Sequence, residues 1–352
     1  MHIFDYSFLD NGLLPAEIVN LTATISAFNA LSQNRQHEYE QVYTELEKIA
    51  RIQSVKGSNA IEGIVTTDTR IKEIVDKNSA PLNHNEREIA GYRDALDEIH
   101  TSHEQMSFNE KTILHLHEKM LHLTDYYNIG KYKTEDNLIM ETSPDGRRSV
   151  RFAPVPASET KDAMEQLVYA YIEARDNPNV NKLLLTPCVI LDFLCIHPFS
   201  DGNGRVSRLL TLLLLYKGGF NVTKYVSLEA QINEDKYFYY EALAESSENW
   251  QDNKNSYFPF MKNYLSTLYK CYKELDTRFS TVNGKKLKKN ERIEMTVLNS
   301  VLPITKAEIC EILPDVSPTT VEAVLGKMVK NGTARKLGDG RGTKYVNAKY
   351  VK

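Results

Sequence analysis

Apolar positions along this 352-residue chain recur mostly at three- and four-residue spacings, as in "LVYAYIEA" (Leu167 to Ala174) and "YFPFMKNYLSTLYKCYKEL" (Tyr257 to Leu275). That spacing lays an apolar stripe along one side of an α-helix. Alternating strand-like runs are scarce and no internal repeat is visible, so the pattern predicts a mainly α fold. One stretch departs from it. "NLIMETSPDGRRSVRFAPVP" (Asn137 to Pro156) alternates apolar and polar residues around Ser-Pro-Asp-Gly, which is strong turn chemistry. It predicts a lone β-hairpin, which is marginal by itself and should therefore lie on the helical body. Its residues leave open whether it is a connecting excursion or a lid or docking edge.

The pattern changes again at "TVNGKKLKKNER" (Thr281 to Arg292), which is basic and lacks apolar periodicity, and reads as a linker. Three short helical segments follow, "ERIEMTVLNSV", "TKAEICEIL" and "SPTTVEAVLGKMVKNG". Thr305 and Ser317 are placed as N-caps, the latter with Pro318 at the first helical position. Two strand-like pieces then flank "GDGRG". Three helices and a small hairpin resemble a winged helix-turn-helix domain.

Charge supports that division. Residues 281–352 hold 14 Lys and Arg against 7 Asp and Glu, whereas the rest holds 29 against 40. An acidic body with a basic tail suggests two units with different partners. The beginning, "MHIFDYSFLD", has no basic head before an apolar core, so no signal peptide is expected, and the apolar runs are far shorter than the ~20 residues of a membrane span. The four cysteines, at 188, 195, 271 and 310, form neither a CxxC pair nor a framework. Reduced thiols and a cytoplasmic location are expected. Cys188 and Cys195, seven apart on an apolar helix, read as core packing. His100, His103, His115, His117 and His122 do not converge on one helix face and read as solvated helix residues rather than metal ligands.

The densest chemistry is "HPFSDGNGR", His197 to Arg205, with Arg208 three residues on. An apolar helix leads into it, for which Thr186-Pro187 fits an N-cap and first turn, unless the helix begins earlier and bends at the proline. Pro198 ends that helix, Gly202-Asn203-Gly204 opens another, and Gly218-Gly219 closes the second. A helix start carries unpaired N–H groups and a positive dipole end, and glycines let an anion approach the backbone, which together suit a phosphate. Arg205 and Arg208 stand at i and i+3, sharing a face in the first turn, and their two positive charges call for a polyanion. Asp201 is placed to hold Mg²⁺, and His197 is a titratable base near the same point.

"HPFSDGNGRVSR" resembles the signature of the Fic family of AMP-transferases (His-Pro-Phe-x-Asp/Glu-Gly-Asn-Gly-Arg-x-x-Arg), with no departure at a fixed position. "IGKYKTEDNLI" and "VRFAPVP" resemble the flap that precedes that motif. The resemblance implies ATP as substrate with Mg²⁺, and AMP transfer to a Ser, Thr or Tyr hydroxyl of a target protein or of the chain itself, with pyrophosphate released. It implies His197 as general base, Asp201 at the metal, and Gly202, Asn203, Gly204, Arg205, Val206, Ser207 and Arg208 around the nucleotide. The hairpin would hold the target backbone by strand addition. "YFYYEAL" resembles the adenine-side segment, with Tyr239 and Tyr240 as candidates beside Ser247. An aromatic core stripe is the other reading of those tyrosines.

Upstream, "SNAIEG" (Ser58 to Gly63) places Glu62 at a helix end closed by Gly63, where its charge opposes the dipole. It resembles the family's inhibitory motif, Ser/Thr-x-x-x-Glu-Gly/Asn, in the subclass with an N-terminal inhibitory helix. This implies that Glu62 pairs with Arg208 and contacts the nucleotide region, with Ser58 helping to orient it. The division expected is a helical region over 1–105 with its inhibitory motif at 58–63 and a catalytic core over 106–280 with its flap at 137–156 and motif at 197–208. A linker over 281–290 and a winged helix over 291–352 complete it. The winged helix could contact DNA or protein, and family members commonly form homodimers. Two rivals stand beside the transferase: a nucleotide-sensing transcription regulator, and a Fic-type enzyme that transfers another nucleotide or a phosphate.

Overall fold

The computed structural model describes residues 2–142, 148–280, 288–300, 303–313 and 316–348. The Ser-Pro-Asp-Gly turn and most of the basic linker lie outside them. The helical periodicity resolves into α1 (Phe8–Asn11), α2 (Ala16–Glu38), α3 (Glu40–Ile61), α4 (Asp68–Lys77), α5 (His84–Ser102) and α6 (Glu110–Leu121). The hairpin strands β1 (Ile139–Thr142) and β2 (Arg148–Phe152) come next, then α7 (Thr160–Asp176), α8 (Lys182–Ile196), α9 (Asn203–Lys217), α10 (Leu228–Glu234), α11 (Lys236–Ser247) and α12 (Phe258–Ser280). The fold is mainly α, with small hairpins.

Side-chain caps set many of the helix starts: Thr67, Asn83, Asn109, Asn181 and Ser227 each accept a backbone N–H from the first turn. The cap of α8 decides between the two readings of Thr186-Pro187 in favour of the earlier start. Asn181 caps the helix, Thr186 Oγ1 instead donates to the Lys182 carbonyl, and Pro187 sits inside the helix without ending it. Cys188 and Cys195 are buried on α8.

One apolar core runs from Tyr6 to Leu275, with α8 and α9 at its centre. Two buried carboxylates fasten elements around it. Asp192 on α8 accepts from Tyr6 Oη (2.7 Å), Trp250 Nε1 (2.7 Å) and Tyr257 Oη (3.0 Å), which ties the first residues of the chain to the central helix. Burial raises its pKa to about 7. Glu229 on α10 accepts from Ser54 Oγ (2.8 Å), Ser227 Oγ (3.1 Å) and Tyr92 Oη (3.1 Å), which clamps α3 against α10 and α5.

The β1–β2 hairpin rests on this body: Arg151 donates to the Tyr240 carbonyl (2.7 Å), and the Phe152 ring meets Trp250 edge-on. Its outer residues Leu138, Met140 and Val150 stay exposed.

A second core gathers Ile293, Val297, Ile309, Val321, Leu325 and Met328. It is built from α13 (Lys289–Asn299), α14 (Lys306–Ile312) and α15 (Pro318–Lys330). Its sheet has β3 (Ile304–Thr305), β4 (Ala334–Leu337) and β5 (Lys344–Asn347), in the antiparallel order β3-β5-β4. The strand β3 has no counterpart in the hydropathy pattern, being only two residues long. Thr305 and Ser317 are N-caps, Thr305 in a reciprocal box with Glu308.

Candidate active site

The motif forms a corner between α8 and α9. His197 closes α8 in the left-handed conformation (φ 52°, ψ 60°), its N–H still donating to the Phe193 carbonyl. Its Nδ1 lies 3.3 Å from the Leu194 carbonyl. A carbonyl only accepts, so Nδ1 carries the proton and Nε2 keeps a free lone pair. Burial holds the imidazole pKa down at about 4, so the ring is neutral at physiological pH.

Gly202 then opens α9 at φ 80°, which a side chain would resist, with Met120 Cε 2.7 Å from where a Cβ would stand. The first helical amides of α9, those of Asn203, Gly204 and Arg205, precede the first i→i−4 bond, from Val206 N to the Gly202 carbonyl (2.9 Å). They form the anion-suited helix end.

The motif residues do not all face that point. Asn203 is buried and spends its side chain on the loop, accepting from Phe199 N (2.9 Å) and donating to Phe199 O (2.7 Å). Val206 is buried in the core, and Ser207 Oγ donates to the Gly204 carbonyl. The two arginines diverge instead of sharing a face. Arg205 runs to Glu88 on α5 (2.5 Å) and Asp201 (3.3 Å), while Arg208 runs to the end of α3. Two buried guanidinium groups one turn apart repel, and each lies against its own carboxylate. Asp201, with half its side chain exposed, is the open carboxylate of the corner.

The end of α3 meets α9 here. Arg208, 2% exposed, donates through Nε to Ser58 Oγ (2.8 Å) and through Nη2 to Ser58 O (2.9 Å) and Glu62 Oε1 (2.8 Å). Glu62 caps α3, and Gly63 follows at φ 79°. Lys236 Nζ donates to the Ile61 carbonyl. The Glu62 carboxylate lies so close over Gly204 that a Cβ there would collide with Oε1. It therefore occupies the space directly above the helix start.

Beside the corner, a cleft of about 550 Å³ opens between Arg151 of the hairpin and α11, lined by Lys236, Tyr237, Tyr240 and Glu241. It continues along Phe152 and Ser247. The expected tyrosine pair divides: Tyr240 lines the cleft, whereas Tyr239 is buried against Phe260 and beside Arg208.

Sequence reasoning missed the layer under the loop. His117, read as a solvated helix residue, is 3% exposed. It stacks flat on Phe199 (3.8 Å between centroids), donates through Nε2 to the Asp201 carbonyl (3.2 Å), and accepts at Nδ1 from Gly130 N (2.9 Å). His100 is buried against Tyr216. His103 is partly buried, while His115 and His122 are exposed, as expected of solvated helix residues. Glu88, Lys133 and Asn137 were missed too. Lys133 and Asn137 lie inside "IGKYKTEDNLI", but nothing local marks them as partners of a motif more than 60 residues later.

Comparison with known proteins fits this geometry. The Fic/DOC family model matches residues 107–215, which include His117 and the whole motif. A Fido domain-containing protein of Dictyostelium discoideum is 32% identical over 110 residues, and the match covers 74% of that protein and 29% of this chain. The chain belongs to the Fic/DOC family. A protein adenylyltransferase Fic of Nematostella vectensis is 26% identical over 207 residues, 57% of this chain and 44% of that protein. The chain thus spans less than half of that adenylyltransferase's length. Among solved structures, a Fic family protein of Desulfovibrio desulfuricans aligns with a TM-score of 0.61 at 18% identity, covering 97% of this chain and 98% of its own. A Fic domain-containing protein of Bacteroides thetaiotaomicron aligns at 0.58 and 19% identity, covering 78% of this chain and 100% of its own. These structural likenesses speak to the Fic fold alone.

Proposed function

We propose that the chain is an autoinhibited protein adenylyltransferase, which moves AMP from ATP to a hydroxyl of a target protein and of itself. The observation that carries the reading is the corner itself: a neutral imidazole with a free Nε2 beside an anion-suited helix start, whose buried Arg208 is held by Glu62. The triphosphate would lie on the first amides of α9, with the adenosine in the cleft by Tyr240. In the transfer step the target hydroxyl oxygen attacks the α-phosphorus and Nε2 of His197 takes the hydroxyl proton. The bond from the α-phosphorus to the bridging oxygen breaks, and pyrophosphate leaves with that electron pair. Arg208 would stabilise the outer phosphates once freed from Glu62.

One open carboxylate suits Mg²⁺, which commonly takes one or two protein carboxylates together with phosphate oxygens and water. Asp201 would hold it, and the ion would offset charge on the phosphates. The exposed hairpin residues Leu138, Met140 and Val150 support target docking by strand addition. The second core, with three helices and a three-stranded sheet, is read as a winged helix that recruits DNA or protein to the enzyme. Adenylyltransferase relatives favour an enzyme over a nucleotide-sensing regulator.

The test is intact-protein mass spectrometry of Glu62→Gly after incubation with ATP and Mg²⁺. The expected outcome is a gain of one AMP unit. A protein that binds ATP and gains no mass refutes transfer, and a gain from UTP alone would reassign the donor.

A further inference from the structure

The strained residue of the corner is His197, a non-glycine side chain in the left-handed region, where such residues are uncommon. Something must hold it. Among the described residues its own hydrogen bonds are both with the α8 end, N–H to Phe193 O and Nδ1 to Leu194 O. The neighbouring carbonyls on either side, those of Ile196 and Pro198, go to a single residue. The Lys133 amide donates to Pro198 O (2.9 Å), and its ammonium donates to Ile196 O (3.3 Å) and to Asn137 Oδ1 (2.7 Å). Asn137 Nδ2 carries the chain of contacts on to Phe199 O (3.2 Å). Lys133 is 3% exposed, which for a lysine requires a reason. Here its charge meets the negative end of α8 and a carbonyl that the helix leaves unpaired.

We propose that Lys133 is a positioning residue for His197, holding the backbone on both sides so that the imidazole keeps Nδ1 on Leu194 and presents Nε2 to the incoming hydroxyl. Asn137 makes the grip continuous with the base of the hairpin, so the segment that would dock a target and the residue that would take its proton share one support. The role rests on the transferase reading for its consequence in rate, but the orientation of the ring is measurable without any turnover.

The test uses the full chain in a Glu62→Gly background, with Lys133→Met and Lys133→Arg as variants and ATP with Mg²⁺ as the probe. Nitrogen-15 NMR of histidine-labelled protein, with the His197 signals assigned from His197→Ala, reports the ring tautomer. The parent is expected to show one state protonated at Nδ1, Lys133→Met a mixture of tautomers, and Lys133→Arg the parental state. Self-labelling followed by mass should fall about 10- to 100-fold in maximal rate for Lys133→Met, with the half-saturating ATP concentration changed less than about threefold, and should recover to within about threefold in Lys133→Arg.

A Lys133→Met protein that keeps the parental tautomer overturns the proposal, whatever its rate. A rise in half-saturating ATP that accounts for the loss overturns it too, by moving Lys133 into nucleotide binding. If Lys133→Met does not fold, Asn137→Ala decides: the same tautomer mixing supports the grip, and an unaltered ring refutes it. A parent that gains no AMP sinks the transferase reading, and the tautomer populations then decide the role of Lys133 without it.

Discussion

Replacing Glu62 by glycine tests the claim that this corner is held off by its own α3. Arg208 Nη2 has two partners, the Ser58 carbonyl and Glu62 Oε1, each within 2.9 Å. A hydrogen bond to a charged partner is worth about 1.5–3 kcal/mol net. At 1.4 kcal/mol per decade that is roughly 10- to 150-fold in an equilibrium. A triphosphate that needs Arg208 must displace Glu62 and meet this penalty. It must also enter the space above Gly204 that the carboxylate fills. Glu62→Gly removes both obstacles, so self-labelling at subsaturating ATP should rise at least tenfold, and within about the range above if charge is the main term. Glu62→Gln keeps the bulk and one acceptor but loses the charge, and should fall between. Ser58→Ala removes the 2.8 Å bond to Arg208 Nε but leaves the Ser58 carbonyl and Glu62 on Nη2, so labelling should rise less than in Glu62→Gly. The assay is the initial rate of AMP mass gain, with ATP affinity measured in parallel by calorimetry. A Glu62→Gly protein that binds ATP and labels no faster than the parent refutes the inhibitory contact. Because Arg208 then loses its carboxylate, the variant should also be less stable, by about 1–2 kcal/mol; the pair is only partly buried at the Glu62 side, which puts the loss below that of a fully buried pair.

Three further outcomes follow from groups already placed. His197→Ala should abolish labelling while leaving ATP affinity within about threefold, since the ring is assigned to the hydroxyl proton; labelling that survives removes it from that role. In the proposed transfer the neutral form of His197 takes the proton, and burial holds its pKa at about 4. The rate should therefore stay level as pH drops through 6.5 and fall only near 4, and an acid limb centred at 6.5 would show an imidazole in ordinary solvent. Asp192 has a folded pKa of about 7 against about 3.9 unfolded, so the folded chain holds a proton that the unfolded chain releases between those values. Its contribution to stability is complete below about pH 4 and is lost as pH rises through 7. Thermal melts should show Asp192→Asn with a flatter dependence than the parent between pH 4 and 8, and parallel curves would place the carboxylate outside this linkage.

What the sequence made legible was local. Apolar spacing at three and four residues marked the helices. Thr305 and Ser317 announced their helices through cap chemistry that acts within one turn, and Gly202, Gly204 and Gly218 marked the ends of α9 for the same reason. The motif was readable because its chemistry is contiguous, from His197 to Arg208. Thr186-Pro187 left the start of α8 undecided because a proline can open a helix or sit inside one, and the cap, Asn181, lies five residues earlier. The arginine pair misled in a different way: spacing tells which side of a helix a residue leaves from, but a long buried side chain ends where its counter-charge is, and Glu88 and Glu62 lie more than a hundred residues upstream on separate helices.

The same limit explains the histidines. His117 and His115 stand two residues apart on α6, so they face different sides, yet only the fold decides which side is roofed. His117 is covered by Phe199, and its two nitrogens are taken by the Asp201 carbonyl and the Gly130 amide. Both partners are backbone atoms, which carry no residue identity and leave no pattern to read. Lys133 is the same case, since two of its three partners around the corner are carbonyls. A side chain that recognises another side chain can be guessed from complementary letters. One that holds the backbone beside His197 cannot, and this corner is built largely from that second kind: an imidazole whose Nδ1 lies against a main-chain oxygen, beside a lysine and a histidine that hold main-chain atoms and whose letters alone suggest solvent.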